Sequence, residues 1–307
     1  MNSIITVVGS INMDLTTYTS RIPSVGETIL GTGFKMNPGG KGANQAVAAA
    51  KLGATVNMIG KVGEDYFSKP LLNNLEKNSV NTQYIKSESQ ISTSIASILV
   101  DASGNNCIVV SPGANMSLAP GDIQELSSVI TSANVVLMQL EIPLETIIKT
   151  VEIAHKNHVL SVLNPAPAQK LPEEVLSKLD IIIPNETEIR ILTGKPASTV
   201  EEIKTAAKDL LDTGVKIVVV TMGERGALLL SKDNSIFEPA FQVNVVDTVA
   251  AGDAFIGGFT YAVSLNKSYD EALRWGNAAG ALATTRYGSQ LSLPDLRSVQ
   301  ELLNQYL

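Results

Sequence analysis

Short apolar runs alternate with longer stretches in which apolar and polar positions recur at helical spacing, and turn residues fall between them. Residues 3–8 form an apolar run closed by Gly9 and Ser10, which by its length predicts a buried strand. Residues 42–52 are Ala-rich and stop at Gly53, which predicts a helix with a glycine C-terminal signal. A strand over 54–59 and a helix over 66–76 follow. The apolar runs 94–100 and 106–111 flank Asp101-Ala-Ser-Gly-Asn105 and predict a hairpin. From Val135 the pattern becomes regular. Strands are predicted over 135–140, 160–163, 181–183, 217–221 and 227–230. Helices are predicted over 144–157, from 185–188 onward, over 200–211, 254–263, 269–285 and 296–306. Strand and helix alternating across short loops predicts an α/β three-layer sandwich: a mostly parallel central sheet with helices on both faces. Residues 12–36 and 92–111 are strand-like without helices and predict a small β-sheet lid. With no internal repeat and no Pro/Ser-rich linker, the whole of 1–307 is expected to form one domain carrying that lid.

Composition narrows the function. The 307 residues are 44% hydrophobic and 17% charged, a globular balance. Lys+Arg 23 against Asp+Glu 30 gives −7, so no basic patch is forced and nucleic acid is a poor partner. A phosphate must then be met locally, by backbone N–H groups and a few placed cations. The single cysteine, Cys107, excludes an internal disulfide and a thiolate metal cage, and is expected to be a buried, inert thiol. No apolar stretch approaches the ~18 residues of a membrane span, and the N-terminus lacks a basic region ahead of a cleavage site. No membrane partner and a cytoplasmic location are expected. His155 and His158, three apart on a predicted helix, lack a third ligand and are read as surface residues. Trp275 and Tyr287 are read as core packing ahead of base stacking.

Candidate chemistry collects at strand ends, where α/β sheets bind ligands. Asn12 and Asp14, Glu141, Asn164, Asn185, the 221–223 turn and the 247–253 segment each follow a predicted strand or precede a helix. The 38–44 segment, Pro-Gly-Gly-Lys-Gly-Ala-Asn, is not a P-loop, because Gly42 rather than Ser or Thr follows Lys41. It is either a tight turn into a helix or a place where glycines let a polyol approach the backbone, with Lys41 and Asn44 as contacts. In the 247–253 segment, Ala250, Ala251 and Gly252 expose N–H groups at a helix N-terminus, an anion hole beside which Asp253 is placed as a general base. The rival reading makes Asp253 an ordinary helix cap.

GSINMD (9–14), GGKGANQAVA (39–48), MQLEIP (138–143), NPAPA (164–168), PNETE (184–188), TMGERG (221–226) and DTVAAGDAFIGG (247–258) occur in the order found in the ribokinase/PfkB carbohydrate kinases. The chain resembles that family over essentially its whole length. The resemblance implies ATP-dependent phosphorylation of D-ribose at O5, with Asp253 as catalytic base and the Ala250, Ala251 and Gly252 amides as anion hole. It places sugar contacts on Asn12, Asp14, Gly40, Lys41, Gly42, Ala43, Asn44, Glu141 and Asp253. ATP contacts fall on Asn185, Thr221, Met222, Gly223, Glu224, Arg225, Gly226, Gly252, Asp253 and Asn277. It implies Mg²⁺ with the nucleotide, its waters linked to Glu188. K⁺ is implied as a monovalent activator near Asp247, Val249, Ala283, Arg286, Gly288 and Ser292. It also implies a homodimer paired through the lids, whose outer face carries apolar residues such as Ile95 and Ile98. Two positions depart from the pattern: Ile256 stands where the family often has Asn, and Leu291 where it often has Pro. The rivals are a kinase of the same family acting on fructose, deoxyribose or a nucleoside, and a non-catalytic sugar-binding regulator. A dehydrogenase ranks far below, since no GxGxxG turn follows a predicted strand.

Overall fold

The computed structural model describes residues 3–305. Its strands, in chain order, are β1 (Ile4–Val8), β2 (Asn12–Tyr18), β3 (Gly33–Gly39), β4 (Thr55–Gly63), β5 (Val80–Asn81), β6 (Ile85–Glu88), β7 (Ser94–Val100), β8 (Asn106–Ser111), β9 (Val135–Gln139), β10 (Leu160–Asn164), β11 (Ile181–Ile182), β12 (Ile217–Thr221), β13 (Ala227–Ser231) and β14 (Ser235–Glu238). The large sheet has the order β14-β13-β12-β11-β10-β9-β1-β4-β5, with β6 also pairing β4. It is parallel from β12 to β5 and antiparallel at β12–β13 and β13–β14.

Alternation along each strand divides the core in two. Ile5, Val7, Val135, Leu137, Ile217 and Val219 face one helical layer, built mainly from Lys41–Lys51, Ala251–Ser264 and Tyr269–Ala283. Val8, Val136, Met138, Val218 and Val220 face the other, which contains Leu144–Lys156 and Val200–Asp212. The three-layer α/β architecture is as expected. The 2-residue side-chain period of a strand buried on both faces produces the near-continuous apolar runs that made it legible.

The differences lie where local signals are weak. The antiparallel edge strand β14 and the short strands β5 and β6 were not foreseen, nor were the helices Pro120–Glu125 and Ser127–Thr131. The Ala-Ala-Gly turn ahead of Asp253 is itself the start of its helix, which runs over Ala251–Ser264 and not from 254. Tyr306, at the expected end of the last helix, lies outside the described residues.

The second sheet, order β3-β2-β7-β8, occupies the two helix-free segments. Its strands run to Gly39 and Ser111, so the first segment extends beyond the expected residue 36. Ile95 packs partly on the core, and Ile98 is half-buried. The sheet's exposed apolar residues are instead Phe34, Met36, Ile108, Val109 and Val110. Cys107 sits in β8, all of whose residues are exposed, so the expected buried thiol is a surface thiol. His155 and His158 are exposed, as read. Trp275 is buried against Tyr261, whereas Tyr287 is 75% exposed and is no core residue.

The chain visits the β4 side of β1 first and then crosses to β9. The connections out of β1 and β9 therefore diverge, leaving a crevice at their carboxyl ends. Gly9, Ser10 and Glu141 lie there.

Candidate active site

The N-terminus of the Lys41–Lys51 helix is fastened into this crevice. The Ser10 hydroxyl accepts from the Gly42 N–H at 3.2 Å and donates to Glu141 Oε2 at 2.5 Å. The same carboxylate oxygen accepts from the Lys41 N–H at 3.1 Å. An acidic group here also suits the positive end of the helix dipole. The glycines before the helix are required by the chain itself. A Cβ on Gly40, whose φ is +91°, would lie 2.8 Å from the Asn12 nitrogen, and one on Gly42 would lie 2.6 Å from the Ser10 nitrogen. A Cβ on Gly39 would strike the Asp14 carboxylate at 2.3–2.5 Å. The glycines of this turn thus have a reason within the chain: they let β2, carrying Asn12 and Asp14, lie against the helix entry.

Asp253 lies in the first turn of the Ala251–Ser264 helix and is 8% exposed. No side chain caps this helix, so Asp253 is not the cap residue of the rival reading. Its carboxylate reaches across to the other helix instead. Oδ2 accepts from Asn44 Nδ2 at 2.9 Å and Oδ1 from Gln45 Nε2 at 2.9 Å. Ala250 precedes the helix in a left-handed conformation, φ +60°. The Ala251 N–H is engaged by the Thr248 carbonyl at 3.2 Å. Among the described residues the Ala250 and Gly252 amides have no acceptor, so they are the freer pair of the expected three.

Charge is concentrated here. Burial, then Glu141 and Asp253, push the Asp14 carboxyl up to about 7. Burial works against the Lys41 charge, but Asp253, Glu141 and Glu188 outweigh it and hold Lys41 above the ordinary lysine value. Burial raises Glu188 as well; the Asn185 N–H and Lys41 pull it back, while Asp253 pushes it up. Asp14, Lys41, Asn44, Glu141, Glu188 and Asp253, drawn from five separate segments, therefore share one electrostatic neighbourhood. Asn12 is buried beside them, its side-chain oxygen accepting from Asn115 at 2.7 Å.

The nucleotide candidates divide. Asn185 caps the Glu186–Thr193 helix through Glu188, in a reciprocal capping box, and bridges to Thr221. Gly223 and Glu224 are exposed at that turn. Met222 is buried in the core, and Arg225 is paired with Glu186. A Cβ on Gly226 would lie 2.1 Å from the Glu238 carbonyl, so that glycine serves chain packing. Asn277 donates to the Glu238 and Pro239 carbonyls at 2.9 and 3.1 Å and braces that loop. In the cation candidates, Asp247 joins the two strands of the loop by accepting from Val249 N–H and Gly288 N–H, both at 3.0 Å. Val246 and Asp247 N–H groups both meet the Thr284 carbonyl, which closes Ala283 and Arg286 onto the same segment. Ser292 is fully buried and donates to Ser289.

Sequence reasoning missed Ser10, Gln45, Asn115, Gln139 and Gln290. A signal existed for two of them: Gln45 interrupts an Ala-rich helix, and Gln139 ends a wholly apolar strand.

Comparison with known proteins agrees with this fold. The model of the pfkB family carbohydrate kinases matches residues 2–296. A ribokinase of Haemophilus influenzae is 42% identical over 99% of both chains. A deoxyribokinase of Salmonella typhi is 41% identical over 98% of both. The solved structure of Arabidopsis thaliana ribokinase complexed with ribose and ATP superposes with a TM-score of 0.94 at 34% identity, covering 99% of each chain. The chain belongs to the pfkB family of carbohydrate kinases.

Were Asp14 the sugar contact that the resemblance implies, a sugar hydroxyl would donate to its ionised form, and protonation would weaken that acceptor. Because this carboxyl is raised to about 7, sugar affinity is expected to fall as the pH drops through that value. Calorimetric titration with sugar between pH 5.5 and 8.5 is the check, and a flat profile would remove Asp14 from the binding step. In Asp14→Asn the affinity should be weak and flat throughout.

Proposed function

We propose that this kinase transfers the γ-phosphoryl group of ATP to O5 of D-ribose, with Asp253 as general base. The observation that carries the reading is the two-sided hold on Asp253. Asn44 and Gln45 each donate to one oxygen, which keeps the carboxylate an acceptor and leaves its other lone pairs for a substrate hydroxyl. As O5 attacks phosphorus, the O5–P bond forms, the P–O bond to ADP breaks, and the O5 proton goes to Asp253. The Ala250 and Gly252 amides at the helix N-terminus stabilise charge on the transferring group. Asp14, Asn12, Asn44 and Glu141 hold the sugar, with the Gly40–Ala43 backbone beneath it and Lys41 nearby. Asn185, the Thr221–Gly226 turn, Gly252 and Asn277 border the nucleotide, as in the family pattern.

Four carboxylates and one lysine make a site hostile to a bare polyphosphate, which fits a nucleotide arriving with a divalent cation. Glu188, a hard oxygen donor with one oxygen on the Asn185 N–H, fits the water shell of Mg²⁺. When bound, Mg²⁺ neutralises phosphate charge. Asp247, Val249, Ala283, Arg286, Gly288 and Ser292, the positions of the family's cation loop, would offer backbone and side-chain oxygens, the donor type that suits K⁺. Dependence on ATP fits the expected cytoplasmic location.

Replacing Asp253 by Asn removes the proton acceptor and leaves one of the two amide donors facing an NH₂ group. The expected loss in kcat is ~10²–10⁴. Sugar and ATP should still bind by calorimetry; a variant keeping more than roughly a tenth of kcat would place the base elsewhere.

The deoxyribokinase similarity gives 2-deoxyribose a claim of its own. A carboxylate built to accept from vicinal hydroxyls is left short by a deoxy sugar, at ~1–3 kcal/mol. Ribose is therefore expected to show the higher kcat/KM in a coupled ADP-release assay. The reverse order would assign 2-deoxyribose as the substrate.

Activity is expected to be higher in K⁺ than in Na⁺ or a bulky organic cation at matched ionic strength. Equal rates in all three would remove the cation role from the 247–249 and 283–292 segments.

The exposed apolar residues of β3 and β8 lie on a sheet whose edge strand β8 is open on both faces. Such a patch calls for a cover, and a two-fold copy of the same sheet supplies one. Light scattering is expected to give twice the 32.5 kDa chain mass, and a monomer at assay concentration would exclude this assembly.

A further inference from the structure

We propose that Gln45 is a positioning residue for the general base, its carboxamide locked so that an N–H group, never its oxygen, meets Asp253. The proposal rests on Asp253 being the base. Gln45 is wholly buried and lies one residue beyond Asn44, the sugar contact. Its partners come from the ends of two adjacent strands. Gln139 ends β9 and Asn164 ends β10; the two are register partners, so their side chains leave the sheet on one face.

The orientation can be followed amide by amide. Asn164 Nδ2 donates to the Ile183 backbone carbonyl at 3.1 Å, a group that can only accept. Asn164 must therefore turn its oxygen to Gln45, and it accepts from Gln45 Nε2 at 3.1 Å. That fixes the NH₂ end of Gln45 on this side, where its second hydrogen meets Asp253 Oδ1 at 2.9 Å. The Gln45 oxygen faces away and accepts from Gln139 Nε2 at 2.7 Å. Reversing Gln45 alone would set its oxygen against the Asp253 carboxylate and the Asn164 oxygen, and would leave two NH₂ groups opposed at Gln139. Ile183's carbonyl thus dictates, through Asn164, how the base is held.

The last atom of the relay shows what this order demands. Gln139 Oε1 is buried with no hydrogen-bond partner. It lies over Gly9, the residue after β1, where a Cβ would come within 2.1 Å of it. A buried acceptor without a donor is unfavourable. The fold retains it because the opposite amide polarity would place oxygen against the base. On the other carboxylate oxygen, Asn44 is fixed in the same way: its oxygen accepts from Gln290 Nε2 at 3.0 Å, and Gln290 accepts from Asn74 at 2.5 Å. Asn44 meets both base and sugar, whereas Gln45 meets only the base. Removing the Gln45 amide should let the carboxylate swing toward Asn44 and out of line with the attacking hydroxyl.

The test measures single-turnover phosphoryl transfer, KM for sugar and ATP, and Tm in Gln45→Met, Gln139→Met and the double variant, beside Asp253→Asn. Methionine keeps the length of glutamine without its polar atoms. Gln45→Met is expected to lose ~10–100-fold in rate from the misplaced base, with both KM values close to wild type. Gln139→Met, one step further from the base, is expected to lose less, again with KM unchanged. The double variant should be at least as stable as Gln45→Met, because the Gln45–Gln139 pair is removed together, yet no faster. Should Gln45→Met fail to fold, the rate and KM of Gln139→Met carry the test. A Gln45→Met rate within about twofold of wild type, or a rate in the double variant that recovers along with Tm, overturns the proposal. If Asp253→Asn stays active, the base assignment itself fails. If Asp253→Asn is inactive while Gln45→Met is fast, only the positioning role fails.

Discussion

The close approach of two helices through small side chains is the constraint on which the site depends. A Cβ on Gly257 would lie 2.4 Å from the Ala48 Cβ, and one on Gly42 would lie 2.6 Å from the Ser10 nitrogen. Residues of ordinary size at these points would push the Lys41–Lys51 helix away from both the β1 end and the Ala251–Ser264 helix. Asp253 and its two amide donors, Asn44 and Gln45, sit on opposite helices, and their bonds are 2.9 Å long. A displacement of about an ångström would break them, since amide hydrogen bonds weaken steeply beyond ~3.2 Å. The alanine and glycine content of these helices is therefore a requirement of the chemistry as much as of the core.

Electrostatics then assigns different tasks to like groups. Asp14, Glu141 and Asp253 are carboxylates in one crevice, yet their surroundings separate them. Asp253 takes two side-chain amide donors, and Glu141 takes a hydroxyl and a backbone N–H. Asp14 has no such donors among the described residues, and burial and the other two carboxylates push it up to about 7. On the proposed reading, incoming sugar hydroxyls would supply donors to it. Lys41 keeps its charge because three carboxylates surround it.

The 288–293 segment joins the outer parts of the site to its centre. Ser289 donates to the Pro38 carbonyl beside the glycine turn, and Gln290 donates to Asn44. Lys51, at the far end of the same helix, holds the Gln290 and Leu293 carbonyls at 3.0 and 2.9 Å. Asp247 fastens Gly288 to the segment that leads into the Ala251–Ser264 helix. Loop, glycine turn and both helices are thus one connected set of hydrogen bonds.

Much of this was determined by the sequence alone. The buried parallel strands announce themselves as apolar runs, and some of the helices carry their own caps, as at Asn185 and Thr199. The polar clusters at strand ends, with the ordered motifs from GSINMD to DTVAAGDAFIGG, were enough to place Asp14, Lys41, Asn44, Glu141 and Asp253 in one crevice. These features are local, because strand period, cap and turn chemistry are set by neighbours in the chain. What tertiary structure decided is everything that depends on partners far apart in sequence. Gln45 reads as one polar residue in an alanine helix until Asp253, 208 residues away, is seen to accept from it. The glycines of the 39–42 turn read either as a tight turn or as an opening for a ligand, and only the fold shows how closely Asp14 and Ser10 pack against them. Cys107 read as buried until β8 proved to be an edge strand. Which amide end faces Asp253 is set by a carbonyl on a third segment, and a hydrogen bond's polarity has no signature in the order of residues.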